Sequence, residues 1–357
     1  MIQNIQALRG IAACMVFIIH LLSTRDGTSL DWLLYRYWWI GPAGVDIFFV
    51  ISGLIVSITA AKAGQAATGG LAAAVPFALK RVFRIYPVYW VVLAIAFIVA
   101  PFVVLAPAWL PEHHPLRLIL LATTENNKVM AAWTLCYEMY FYLTLTAILL
   151  FAPKRVFQVL GVWALVQAVL IVVAGTIRFD LMNNVVFSPL LLEFALGCGA
   201  GYLISQGATR HGLFFTVAGL IWFIGGAIVH RYHGNWEPWW RAPTFGVGSA
   251  FLVYGLVALE ERNGFVLPRW LCRLGDPSYS IYIWHQLVLA GLALLSDELD
   301  LFYYLPAPLI VSAWAVILIA FGFASYRWIE RPALDWLNRR LVPTQQHKPA
   351  DVPAASA

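Results

Sequence analysis

Charge is what this sequence has least of. Asp, Glu, Lys and Arg together make up 11% of the 357 residues and 61% are hydrophobic, against roughly 25% and 45–50% in a soluble domain. Mean hydropathy is +0.77. This scarcity excludes a water-soluble enzyme, a nucleic-acid-binding protein and a disordered chain. A net charge of +5 has the sign that nucleic acid attracts. In a membrane protein, however, such an excess comes from cytoplasmic loops, so no nucleic-acid partner is expected. Cysteine is equally sparse. Cys14, Cys136, Cys198 and Cys272 lie far apart and form no C-x-x-C or Cys/His ligand spacing, so neither a disulfide framework nor a metal site is expected. The first apolar run, from Ile2, has no basic leader and no small-x-small cleavage site. It reads as a retained first span and not as a signal peptide. No internal repeat is visible, and no stretch is long enough for a soluble second domain.

What the sequence has is long apolar runs. A spanning helix needs about 20 largely apolar residues. Ten segments qualify, at roughly 5–22, 41–61, 84–106, 133–152, 156–174, 185–205, 212–230, 242–259, 277–296 and 304–328. The fold expected is therefore an all-α polytopic membrane protein of about ten transmembrane helices. With the N-terminus inside, sixteen of the 23 basic residues fall on the inner side, which puts both termini in the cytoplasm. The abundant aromatics (16 Trp, 15 Tyr and 22 Phe) suit membrane interfaces. One membrane domain over 1–336 and a disordered cytoplasmic tail over 337–357, rich in Pro and small residues, complete the expected organisation.

An ionisable side chain within a span costs a few kcal/mol and marks a candidate site. Arg9 and His20 stand eleven residues apart on one helix. At 100° per residue that is about 20° beyond three full turns, with a rise of about 16 Å. Both therefore face one side, with Arg9 near the inner interface and His20 in the outer half. Neutral histidine suits proton transfer, although a snorkelling arginine and a packing histidine give the same spacing. Glu138 enters its span from outside to a depth like that of His20, within the aromatic run Trp133–Tyr142, which suits sugar or acyl-chain packing. Asp46 also starts from the outer side. Either carboxylate would orient His20 and stabilise its charged form. Ser278, Tyr282 and His285 share one face of the ninth span, and Glu193 lies mid-membrane; both patterns also fit hydrogen bonding between helices. Arg81 and Arg84, at i and i+3 near the inner face, suit phosphate oxygens, of a ligand or of lipid.

These segments in order resemble the membrane acyltransferase 3 family. The run Ile5–Gly10 through His20 is similar to its first-helix motif, a basic residue, ten residues, then His. Gly44–Gly53 is similar to the second-helix signature. Arg81-Val82-Phe83-Arg84 carries R-x-x-R, and Trp133-Thr134-Leu135 through Glu138 matches W-[ST]-L-x-x-E. Gly275 through His285 resembles G-x-x-S-Y-x-x-Y-x-x-H, and Glu330-Arg331-Pro332 the terminal E-[RK]-P. Each motif alone is weak; six in order on ten spans are specific. The opening and the Trp133–Tyr142 run look most like the exopolysaccharide-acetylating branch.

The resemblance implies a bacterial inner-membrane, multi-pass O-acyltransferase. It would move an acetyl or other short acyl group from cytoplasmic acyl-CoA to a hydroxyl of an exported polysaccharide or its lipid-linked precursor. His20 would be the catalytic histidine, as general base or transient acyl carrier, supported by Glu138 or Asp46. Arg9, Arg81 and Arg84 would handle acetyl-CoA, with no metal involved. Trp133, Tyr137, Tyr282 and His285 would meet the acceptor, and membrane lipids and polysaccharide-synthesis proteins would be the partners. Some relatives carry a further extracytoplasmic hydrolase-like domain; without one, this chain is expected to finish the transfer itself or to hand the acyl group to another protein. A secondary transporter or flippase is the competing reading and predicts inverted repeats with broken helices. A non-catalytic subunit of a polysaccharide machine is a third.

Overall fold

A computed structural model describes residues 2–24, 29–103, 114–176, 184–233 and 238–341. Ten principal helices follow in order: α1 (Gln3–Ser23), α2 (Gly44–Ala66), α3 (Gly70–Val99), α4 (Trp133–Phe151), α5 (Val156–Thr176), α6 (Leu191–Ser205), α7 (Gly212–His233), α8 (Val247–Asn263), α9 (Ser278–Glu298) and α10 (Ala307–Ser325). A wide π-helical turn, Tyr326–Glu330, leads from α10 into a terminal helix, α11 (Arg331–Leu341). No strand occurs among the described residues. Nine helical segments among them are long and apolar enough to cross a membrane. The chain is thus an all-α polytopic membrane protein.

The sixth expected span, 185–205, falls short. Helix α6 has 15 residues, about 22 Å at 1.5 Å per residue, against a hydrocarbon core of about 30 Å. Its N-terminal part is taken by a 3-10 turn, Val185–Phe187, and the helix proper opens only after Pro189, which lacks the N–H an interior position needs. The third span is displaced from the expected 84–106: α3 begins at Gly70 and ends at Val99. An Ala-rich stretch before Arg84 extends the helix backwards, and Pro101 follows its end. The last residues of that expected span, 104–106, lie outside the described residues. So does 342–357 of the expected tail, whose first residues are instead the end of α11.

Lipid explains the outward faces. Helix α5 exposes Val162, Leu165, Val169 and Val172, and α7 exposes Leu213, Phe214, Leu220 and Ile221. Apolar surface on this scale is not stable against water. The packed interior lies instead around α2, where Val50 and Leu54 are fully buried, as are Phe141, Leu145 and Phe194 of α4 and α6. Helices α2 and α6 touch backbone to backbone. A Cβ added at Gly53 would stand 3.0 Å from the Cα of Gly197, and one at Gly197 equally near Gly53. Small residues allow this approach, which dispersion then stabilises in a medium without hydrophobic driving force.

Helix α1 is held unusually firmly at its start. Its first N–H groups have no intrahelical acceptor and no capping side chain of their own. A carboxylate from the end of α8 fills that role: Gln3 N donates to Glu260 Oε1 at 2.8 Å and Asn4 N to Glu260 Oε2 at 2.7 Å. The Asn4 side chain donates to the carbonyls of Leu256 and Phe265 and accepts from Leu267 N. Negative charge at a helix N-terminus is favourable in itself. Replacing Glu260 with Ala should cost about 1–3 kcal/mol and lower the melting temperature of the detergent-solubilised protein. An unchanged melting curve would show that the remote cap does not hold α1.

Candidate active site

Five helices enclose a cavity of about 170 Å³. Gln6 and Arg9 come from α1, Phe48 and Ser52 from α2, Arg81 and Arg84 from α3, Thr134, Glu138 and Tyr142 from α4, and Ser278, Tyr279 and Tyr282 from α9. The R-x-x-R spacing sets both α3 guanidiniums on one helical face. Residues 138 and 142 share a face of α4 for the same reason. Tyr279 O–H donates to the Ile85 carbonyl at 2.7 Å and so fixes α9 against α3 beside Arg84.

The three arginines are held but not neutralised by contact. Arg9 Nη1 donates to Gln6 Oε1 at 3.1 Å, and Gln6 Nε2 donates to Asp276 Oδ1 at 2.8 Å. The Arg81 guanidinium lies 5.3 Å from the Phe77 ring centre and 5.7 Å from that of Tyr142, within cation–π range, while its buried Nε has no hydrogen-bond partner. Among the described residues none of the three forms an ion pair. Glu138 instead accepts from Ser52 Oγ at 3.3 Å and from the Tyr142 hydroxyl. Glu330 Oε2 accepts from Ser280 Oγ at 2.7 Å. Both carboxylates lie within electrostatic reach of Arg9. The cavity therefore presents positive charge, softened at a distance and free at contact, to an anionic ligand.

A second polar group lies further along the same pair of helices. His20 of α1 and His285 of α9 lie with ring centres 4.9 Å apart and planes tilted by 32°. His285 is buried; its Nδ1–H donates to the Tyr282 carbonyl at 2.5 Å, which leaves Nε2 as the unprotonated atom. That nitrogen has no hydrogen-bond partner. Tyr282 connects this pair to the cavity: its ring lies 5.8 Å from that of His285, and its hydroxyl is 3.0 Å from Thr134 Oγ1. Arg9 and His20 thus both face α9, in agreement with the three-turn spacing.

Other expected site residues are placed elsewhere. Asp46 is not a partner of His20. It is buried in a bidentate pair with Arg241, Nε to Oδ1 at 3.1 Å and Nη2 to Oδ2 at 2.7 Å. Glu193, also fully buried, lies within electrostatic reach of both. A carboxylate on the first turn of a buried helix needs a cation nearby, and Arg241, just before the π-helical turn Ala242–Gly246, supplies it. Glu138 belongs to the arginine cavity. Neither carboxylate is therefore the neighbour of His20; the ring beside it is that of His285. Trp133 and Tyr137 pack around Phe49, at ring distances of 6.4 and 5.8 Å, and are not on the cavity wall. Sequence reasoning passed over Gln6, Ser52, Tyr142 and Glu330 as site residues. Helical spacing from Arg9 and Glu138 marks Gln6 and Tyr142. Glu330 stands in the terminal motif but beyond the expected end of the last span.

The arrangement, an anion-binding cavity joined by a polar face to a histidine pair, suits transfer of a group carried by an anionic donor. A family model described as an acyltransferase domain matches residues 2–327, and the chain belongs to that family of multi-pass membrane acyltransferases. It is similar to the exopolysaccharide production protein ExoZ of Rhizobium meliloti (strain 1021), 29% identical over 83% of this chain and 90% of that protein. It is also similar to nodulation protein 10 of Rhizobium leguminosarum bv. viciae, 25% identical over 93% of each. No solved structure matches the chain.

Asp46 and Arg241 make a direct prediction. Asp46→Asn removes the bidentate carboxylate from a buried guanidinium and should destabilise by about 3–5 kcal/mol. Asp46→Asn/Arg241→Gln removes both charges and should recover part of that loss in thermal-shift measurements. A single variant as stable as wild type would show that the pair is not a structural clamp.

Proposed function

We propose that this protein O-acylates an exported polysaccharide, or its lipid-linked precursor, using acyl-CoA, with acetyl the expected group. The observation that carries this reading is the single wall that runs from three unpaired guanidiniums through Thr134 and Tyr282 to His285 and His20. Family membership supports acyl transfer. The printed name of the Rhizobium meliloti relative supports an exopolysaccharide acceptor, and the excess of basic residues at one side supports a bacterial inner membrane with the arginine end facing the cytoplasm.

In this scheme the anionic end of the donor meets Arg9, Arg81 and Arg84, and the thioester lies in the cavity. The acceptor hydroxyl enters from the opposite side. His20 removes its proton as the alkoxide oxygen attacks the acyl carbon. The C–O bond forms, the C–S bond breaks, and the sulfur leaves as thiolate, which takes up the proton. The acceptor gains an ester and the donor is released as free CoA. His285, with its tautomer fixed by the Tyr282 carbonyl, holds the His20 ring in place.

Purified wild type supplied with acetyl-CoA and a polysaccharide acceptor should release CoA and acetylate the acceptor. His20→Ala, still folded, should lose about 10²–10⁴-fold in turnover. Arg81→Gln/Arg84→Gln should raise KM for the donor about tenfold or more with a smaller effect on kcat. Full turnover by the folded His20 variant would eliminate this chemistry.

A further inference from the structure

Helix α11 is the part of the molecule that the scheme leaves unused. With the turn before it, it sets out two rows at i, i+4 spacing: Arg327, Arg331, Asp335 and Arg339 in one, Trp328, Pro332, Trp336 and Arg340 in the other. Neighbouring rows on a helix form one face. Here they line a shallow, solvent-open cleft whose lining comes entirely from this one segment, Arg327 to Arg340. Four guanidiniums face a single carboxylate, and Asp335 reaches only Arg331, at 4.0 Å. Trp328 and Trp336 are 72% and 55% exposed, and the Arg340 guanidinium lies 5.1 Å from the Trp336 ring centre.

The cleft adjoins the arginine cavity. Glu330, the residue before α11, lies within electrostatic reach of Arg9 and Arg84, and Tyr326 within reach of both Arg9 and Arg331. Helix α11 packs along α3, which carries Arg81 and Arg84. The cavity itself, about 170 Å³, is below the size of a drug-sized ligand site. It has room for a thioester and part of its arm, but not for a nucleotide.

We propose that the cleft along α11 binds the adenosine 3′-phosphate 5′-diphosphate end of the donor, so that the pantetheine arm runs from it past Glu330 into the cavity. This rests on the acyl-CoA reading above. The chemistry matches in kind: several phosphates for the unpaired guanidiniums, and an adenine ring for an exposed indole, which stacks on any base. A phospholipid headgroup offers one phosphate diester and no purine ring; interfacial tryptophans suit lipid as well, so lipid binding is the competing outcome of the test.

The test uses the full chain in nanodiscs and two donors, acetyl-CoA and S-acetyl-pantetheine, which lacks the nucleotide. Wild type should show a KM at least tenfold lower for acetyl-CoA and should bind adenosine 3′,5′-bisphosphate in calorimetry. Arg327→Gln/Arg339→Gln and, separately, Trp328→Ala change only exposed side chains. Each should weaken bisphosphate binding and raise KM for acetyl-CoA about tenfold, while KM for S-acetyl-pantetheine and kcat stay as in wild type. Equal kcat/KM for the two donors in wild type would overturn the nucleotide cleft and leave the acyl-CoA reading standing. A wild type that neither binds nor turns over acetyl-CoA overturns both. Phosphatidylcholine nanodiscs are compared with ones containing phosphatidylglycerol. A loss equal for both donors, or present only with the anionic lipid, would identify α11 as a lipid anchor and overturn the assignment.

Discussion

Positive charge inside a membrane protein has to be answered, and this chain answers it in two ways. Arg241 is closed off by a bidentate carboxylate at 2.7 and 3.1 Å. Arg9, Arg81 and Arg84 line a cavity without a carboxylate in contact, held by the Gln6 amide and by the Phe77 and Tyr142 rings. The first solution stabilises architecture, since it ties the segment before α8 to α2. The second costs stability, by up to about 2.5–3.5 kcal/mol per arginine on insertion scales at the helix centre and less near an interface, and it suits a site for an anion. The rest of the molecule is organised to hold that open cluster in place.

Helix α1 carries both ends of the site, so its placement decides the geometry. A remote carboxylate caps it, and Asn4 fastens it to the end of α8 and the loop beyond. On its other side Gly275 permits close approach: a Cβ there would run into the backbone of Gln6, next to the hydrogen bond that holds Arg9. Helix α9 runs alongside and contributes Ser278 and Tyr282 at one end and His285 at the other. The two helices act as parallel rails, one with arginine and histidine, the other with hydroxyls and histidine.

Much of this was legible from local pattern. Apolar length gave the spans, and helical phase put Arg9 and His20 on one face. What local pattern does not encode is which distant residue answers a buried charge. Asp46 and His20 both lie toward the outer side of their spans, which made their pairing plausible. Arg241, almost two hundred positions away, forms the shorter and better matched pair, and only tertiary packing brings it there. The same applies to His285. Its spacing from Ser278 and Tyr282 showed a polar stripe, but its partner lies on another helix. Trp133 and Tyr137 were read from the aromatic character of their run, and that property serves core packing around Phe49 equally well. The boundaries of α3 and α6 moved because hydropathy windows average across prolines, whereas a helix must satisfy each backbone N–H.

The position of the two site carboxylates follows from the same electrostatics. A contact ion pair at about 4 Å and an effective dielectric of 20 is worth about 4 kcal/mol, and doubling the separation halves that. A carboxylate in contact with Arg81 or Arg84 would hold it more firmly but would have to be displaced by each arriving anion. Glu138 and Glu330 are instead turned to hydroxyl donors, Ser52 and Tyr142 for one and Ser280 for the other. They lower the cost of three buried cations through space without filling their hydrogen-bond sites. A cluster built this way is held in place by its neighbours while its guanidinium hydrogen-bond sites stay open.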